Sequence, residues 1–300
     1  MPPINYAALS TERIHRGSRS LDRLSPSQIV RLMNREDRKV LVAIDEARPR
    51  IARAIGLISN AFRQGGRLVF VGAGTSGRLG VLEAAECPPT FNTKPGQVLA
   101  IMAGGKQAVF KSKEGAEDSV SEADAAVTKQ VRKGDVVVGV AASGVTPFVH
   151  SALRSALRRK AHTVLVTCNP NSYRVAEVTI VLRTGPEVLS GSTRLKAGTA
   201  CKMVLNMLTT ASMVQIGKVY GNRMVDVQPK SRKLVERGVR LIRDLGPVDE
   251  AAARRLLNKA RGHVKTAIVM ARMNMTYREA EQALKRADGF LGKIFKEPAS

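Results

Sequence analysis

Two groups of carboxylates carry the chemistry that this sequence is equipped to do. Glu83 and Glu86 stand three residues apart in "VLEAAECPPTF", a spacing that puts them on one side of a helix. Glu114, Glu117 and Asp118 crowd together in "EGAEDS". Carboxylates of this kind serve as general acids and bases once their surroundings tune them. Pro88 and Pro89 follow Glu86 almost at once, and prolines are expected to end the helix there. Glu86 would then sit at a helix C-terminus, where the dipole disfavours negative charge. Partial burial would raise its pKa and make it a proton donor near neutral pH. In the second group, Gly115 marks a turn, and the same acids also fit ordinary decoration of a helix start.

Just upstream, "GAGTSG" places glycines at Gly72, Gly74 and Gly77. This is the GxGxxG pattern of a dinucleotide loop. A helix starting there would aim free N–H groups and a positive dipole end at a phosphate. A dinucleotide also requires an acid near the end of the second strand, to hold the ribose. Here that strand ends "MAGGKQ", with no acid before Glu114. Thr75 and Ser76 put hydroxyls in the first loop, and "AASGVTPF" puts Ser143 and Thr146 in another. Two hydroxyl loops at the carboxyl ends of adjacent strands suit a sugar phosphate. Both would also serve as plain tight turns. Glu187, with Arg194 and Lys196 as candidate anion contacts, lies in "GPEVLSGSTRLKAG", and this set equally fits a solvated helix start.

The elements that must position these groups are legible. Five continuous apolar runs, 67–74, 97–105, 135–143, 162–169 and 178–185, read as strands covered on both faces. Helical segments are expected over 106–133 and 147–160, so the core is α/β with a parallel sheet in three layers. The crossover between the fourth and fifth strands is short. A long helix over 26–63 precedes the core, with Ser25 or Ser27 as its cap. Another spans 197–221 and ends at Gly221. Beyond Pro247, three short amphipathic segments, opened by a cap at Asp249, make a helical appendage.

The chain has 300 residues, with 49 Lys and Arg against 25 Asp and Glu, a net charge of +24. Such a balance suits anionic partners. Only 4% of residues are aromatic, which argues against a stacking surface for nucleic acid. Cys87, Cys168 and Cys201 are scattered, as reduced cytosolic thiols are. No two of the four histidines stand at metal-ligand spacing. The N-terminus has no apolar secretory core, and no apolar run is long enough to span a bilayer.

Together, "GGRLVFVGAGTSGRLGVLEAAECPPTF", "EGAEDS", "VVVGVAASGVTPFV", "SGSTRLKAGTACKMVLNML" and "GNRMVDVQPKSRKL" closely resemble the N-acetylmuramic acid 6-phosphate etherases. These belong to the sugar-isomerase (SIS) superfamily. The resemblance runs over nearly the whole chain. It implies a five-stranded SIS-type sandwich with N-terminal helices. It divides the chain into an N-terminal helical arm over 1–57, a SIS sugar-phosphate domain over 58–221, a connecting segment over 222–247, and a small helical, UBA-like domain over 248–300. It implies cleavage of the D-lactyl ether of N-acetylmuramic acid 6-phosphate, without cofactor, metal or nucleotide, in a cytoplasmic homodimer. The acid assisting lactate departure falls on Glu86, and the base at C2 falls on Glu117. Substrate contacts fall on Gly74, Thr75, Ser76, Ser143, Gly144, Thr146, Glu187, Ser192 and Lys196.

There are departures. Family members commonly read "ASGRTP", where this chain has Val145 in place of the arginine. The N-terminal "TERIHRGS" has His15 where an asparagine is usual, and Asn92 stands where a glycine is usual. A non-catalytic regulator that senses sugar phosphates shares this architecture. Retention of both Glu86 and Glu117 favours the enzyme over that alternative.

Overall fold

The computed structural model describes residues 9–172, 175–229 and 231–296. Helix α1, Pro26–Arg63, opens with a capping box. The Ser25 hydroxyl accepts from the Gln28 N–H, and the Gln28 side chain accepts from the Ser25 N–H at 2.8 Å. Five strands follow, interleaved with helices: β1 Leu68–Gly72, α2 Gly74–Phe91, β2 Val98–Met102, α3 Val120–Gln130, β3 Val136–Val140, α4 Pro147–Arg158, β4 His162–Thr167 and β5 Val178–Val181. All strand pairs are parallel, in the order β2-β1-β3-β4-β5.

The pattern of burial explains the sequence. Every residue of the interior strands β1 and β3 is buried, whereas β2 and β5 at the edges are only partly so. Helices α3 and α4 cover the face that carries Val69, Val71, Val137 and Leu165. Phe70, on the opposite face, meets α2 at Gly80, where a β-carbon would come within 2.8 Å of the Phe70 Cβ. Each such buried side chain contributes about 1.5–3 kcal/mol of transfer free energy.

The structure corrects several expected boundaries. Helix α2 does not stop at Pro88 but runs through both prolines to Phe91. The prolines remove two backbone bonds, to the carbonyls of Ala84 and Ala85, yet Cys87 and Phe91 are buried one turn apart and hold the last turn in place. The segment 106–133 is not one helix. Two short 3-10 turns, Lys106–Val109 and Ala116–Asp118, come first, and α3 starts only where Ser119 caps it. Among the described residues no helix lies between β4 and β5. Helix α5, Lys196–Val214, ends well before Gly221, because the chain turns at Gly217, whose φ is 75°.

Two compact units emerge. The first gathers residues 1–84 and 96–209, and the second gathers 85–95 and 210–300. In the second unit α6 Arg232–Leu245, α7 Glu250–Lys259, α8 Val264–Met273, α9 Tyr277–Arg286 and α10 Leu291–Phe295 share one apolar core. The tail beyond Pro247 thus holds a fourth, five-residue helix besides the three expected segments. Asp249 caps α7, accepting from the Ala252 N–H at 2.6 Å.

Candidate functional site

The glycine motif forms a tight strand-to-helix junction. A β-carbon on Gly72 would lie 2.7 Å from the Gly77 nitrogen, and one on Gly77 would lie 2.7 Å from the Gly72 carbonyl oxygen. Only glycine at both positions lets α2 start against the end of β1. Gly74 is the first residue of that helix, and Thr75 and Ser76, both half-buried, lie in its first turn. The start of α5 comes close by, since a β-carbon on Gly198 would sit 3.6 Å from Thr75 Cγ2.

The loop after β3 is held from beneath. Gly144 has φ of 75°, and a β-carbon there would meet Thr167 Oγ1 at 2.7 Å. The His150 ring nitrogen Nε2 lies 2.8 Å from the Gly144 carbonyl, and the Asn169 amide donates to the Ser143 carbonyl at 3.1 Å. A carbonyl only accepts, so Nε2 carries the proton. Burial lowers the His150 pKa, partly offset by that carbonyl, with Arg154 lowering it further. A neutral ring therefore pins the loop. The Ser143 hydroxyl accepts from the Val145 N–H at 3.4 Å. Thr146 precedes α4 without capping it through its side chain, and Val145 is buried.

The acidic turn and the first loop share a cavity of about 170 Å³. Gly74 and Arg78 line it from α2, and Lys113, Glu114 and Glu117 line it from the segment after β2. Arg78 fastens that segment to α2 by donating to the carbonyls of Ala108 and Val109, at 2.9 and 2.8 Å. Gly115 supplies the left-handed turn, with φ of 70°, that leads into the 3-10 turn bearing Glu117. Glu114, Glu117 and Asp118 are exposed.

Glu187 and Lys196 are placed differently from a solvated helix start. Both are 1% exposed. The Glu187 carboxylate accepts from the backbone N–H groups of Lys196 and Ala197, at 3.3 and 2.8 Å, and so caps α5. Burial raises its pKa, against the lowering pull of those bonds and of the Lys196 charge. Lys196 reaches the other way, to Glu36 of α1 at 2.9 Å. Lys39 and His15 complete that cluster, at 2.7 and 3.2 Å from the Glu36 oxygens. Burial alone would raise the Glu36 carboxyl, but bonds from Lys39 and Lys196, the Lys196 charge and His15 pull it down to about 2. The helix-period pattern of 26–63 gives no sign of this pairing, because the partners lie 160 residues apart. Ser192 and the exposed Arg194 lie in the intervening turn, where the Gly191 N–H donates to the Thr11 carbonyl at 3.3 Å.

Glu83 and Glu86 part company. Glu83 is buried and accepts from Asn206 at 2.6 Å and from Thr209, both on α5. Its role is to join two helices of the first unit. Glu86 is exposed, against the expected partial burial, and lies on the stretch of α2 that belongs to the second unit. Glu117 belongs to the first.

Residues 50–157 match the glucokinase regulatory protein N-terminal SIS domain, and residues 110–211 match the SIS domain. The N-acetylmuramic acid 6-phosphate etherase of Geobacillus thermodenitrificans is 49% identical, over 96% of this chain and 99% of the relative. That of Gloeothece citriformis is 51% identical over 87% of each chain. Among solved structures, a phosphoheptose isomerase from Francisella tularensis is 13% identical, with a TM-score of 0.48 over 65% of this chain and 98% of that one. The near full-length identity to the etherases decides the family: the chain belongs to the N-acetylmuramic acid 6-phosphate etherases.

Proposed function

We propose that this chain cleaves the D-lactyl ether of N-acetylmuramic acid 6-phosphate with Glu86 and Glu117 as its two catalytic carboxylates. The products are N-acetylglucosamine 6-phosphate and D-lactate. A simple ether resists hydrolysis, but in the ring-opened sugar the lactyl oxygen stands β to an aldehyde. The C2 proton is then acidic. Glu117 removes it, the C3–O bond breaks, and Glu86 gives its proton to the departing lactate oxygen. Water then adds at C3, losing a proton to Glu86, while Glu117 returns one to C2. The sum consumes one water and leaves both carboxyls as they began. Acid and base of this kind each supply about 10²–10⁴-fold.

One observation supports the reading most directly. Glu117 lines the same cavity as Gly74, the first residue of a helix whose N-terminus suits a phosphate. Thr75, Ser76 and the Ser143–Thr146 loop are the remaining contacts proposed for the sugar phosphate. Lys196 and Glu187 act through the position of α5, since both spend their charged groups inside the protein. A cytoplasmic homodimer belongs to the same proposal, with Leu82 of α2 and Met207 of α5, which are 47% and 37% exposed, as candidate contacts for a second copy.

The test is D-lactate release from N-acetylmuramic acid 6-phosphate. Glu86→Gln and Glu117→Gln are expected to lose it by about 10²–10⁴-fold each, while Glu114→Gln keeps it. Binding of the sugar phosphate without release by the unaltered chain would overturn the reading in favour of a regulator.

A further inference from the structure

The end of α2 carries Glu86, and there two prolines thin the backbone bonding that the burial of Cys87 and Phe91 otherwise offsets. Pro88 and Pro89 leave two helical carbonyls without their usual N–H partners. The chain then leaves the helix through Asn92, with φ of 51° and its N–H donating to the Pro88 carbonyl at 2.9 Å. Asparagine is the side chain that best tolerates this left-handed exit after glycine. Its side chain is also engaged. Asn92 Oδ1 accepts from Gln228 Nε2 at 2.5 Å, and both residues are half-buried.

Gln228 is itself well anchored. Val225 and Val227 are buried in the core of the second unit. Asp226 pairs with Lys265 of α8 and with Lys218, each at 2.9 Å. The buried Lys265 ammonium also donates to the Gly217 carbonyl at 2.7 Å. A fixed segment therefore presents the Gln228 amide to the end of α2.

We propose that the Asn92–Gln228 amide pair is a positioning latch for Glu86. It replaces, through side chains, the hold that the two prolines remove from the last turn. The helical unit built from 210–300 is then the anchor of the acid rather than an appendage. The inference rests on reading Glu86 as the acid.

Three variants test it, with D-lactate release and thermal melting as readouts. Asn92→Asp keeps an acceptor for Gln228 and tolerates the left-handed exit. Asn92→Gly relaxes the backbone and removes the acceptor. If the latch positions Glu86, Asn92→Asp keeps kcat, while Asn92→Gly loses it roughly fivefold, about the worth of one neutral hydrogen bond, with KM unchanged and no fall in melting temperature. Gln228→Ala shows the same loss, and combining it with Asn92→Gly adds nothing. A purely backbone role predicts the reverse order, so an Asn92→Gly protein as fast as Asn92→Asp overturns the latch. So does a loss that comes with a raised KM and a lower melting temperature. Glu86→Gln is measured alongside. Full release from it overturns the acid assignment, whereas a dead Glu86→Gln beside a fully active Asn92→Gly overturns the latch alone.

Discussion

Two helix starts in the first unit look alike in sequence and are used in opposite ways. Both α2 and α5 begin within stretches rich in glycine and hydroxyls, "GAGTSG" and "SGSTRLKAG". At α5 the protein supplies its own anion: the buried Glu187 carboxylate takes the first N–H groups, and the Lys196 ammonium is taken by Glu36. At α2, among the described residues, no side chain accepts from the N–H groups of Gly74, Thr75 or Ser76. One dipole end is filled by the protein's own carboxylate, and the other is the end proposed to receive the substrate's phosphate.

The largest effect is expected where the filled end is broken. Glu36→Gln leaves Lys196 buried beside a neutral partner, and breaking one side of a buried pair costs about 3–5 kcal/mol. Denaturant unfolding at neutral pH measures it. The pH dependence carries a second signature. The Glu36 pKa falls from 4.5 to about 2 on folding. A depressed carboxyl contributes stability above its unfolded value and loses it as pH falls through the folded one. The unaltered protein should lose stability between pH 4.5 and about 2, and Glu36→Gln should lack that part of the slope. Glu187 works the other way: its raised pKa gives stability that declines as pH climbs above 4.5. An acid limb unchanged in Glu36→Gln would show that the cluster does not hold α5 in place.

The next largest change converts the open end into a filled one. Thr75→Glu puts a carboxylate in the first turn of α2, where it competes with a phosphate for the same N–H groups. KM for N-acetylmuramic acid 6-phosphate should rise by about 100-fold, roughly 2.7 kcal/mol, while the melting temperature holds or increases slightly. An unchanged KM would remove the phosphate from this helix. The mirror experiment empties the filled end. Glu187→Ala should cost about 2 kcal/mol of stability, within the range of a lost cap that bonds through a charge. Turnover per folded molecule should stay near that of the unaltered chain, and a further loss of turnover would return Glu187 to the substrate.

How much of this could be read beforehand follows from the range of each signal. The five strands were legible because two-sided burial demands unbroken apolar runs such as "LVFVG" and "VVVGV". Ser25 and Asp249 were legible because capping is local. The end of α2 was not. Two prolines usually stop a helix, but here the burial of Cys87 and Phe91 outweighs two missing bonds, and burial is a tertiary fact. For the same reason spacing leaves Glu187 and Lys196 open between substrate and solvent and gives no sign that both are buried. His15 and Glu36 were invisible as partners, since nothing in their local pattern requires Lys196. For the candidate site, residue types and loops offer Glu86, Glu117 and the hydroxyls as candidates but give no sign of Arg78 or His150, which hold those loops in shape.

The smallest effect bears on the other open loop. Val145 is buried within the turn after β3, so this loop offers hydroxyls and backbone without a cation. If it contributes to phosphate binding as is proposed for α2, Val145→Arg should lower KM by about two- to tenfold, the worth of one partly screened ion pair. The gain should shrink as salt rises, because screening acts on the new charge and not on the hydroxyl contacts. Some packing is lost with the valine, so the melting temperature should fall by a few degrees, on the order of 1 kcal/mol. A KM that does not respond, at low salt as at high, would mean that the loop after β3 positions the sugar and leaves the phosphate to α2 alone.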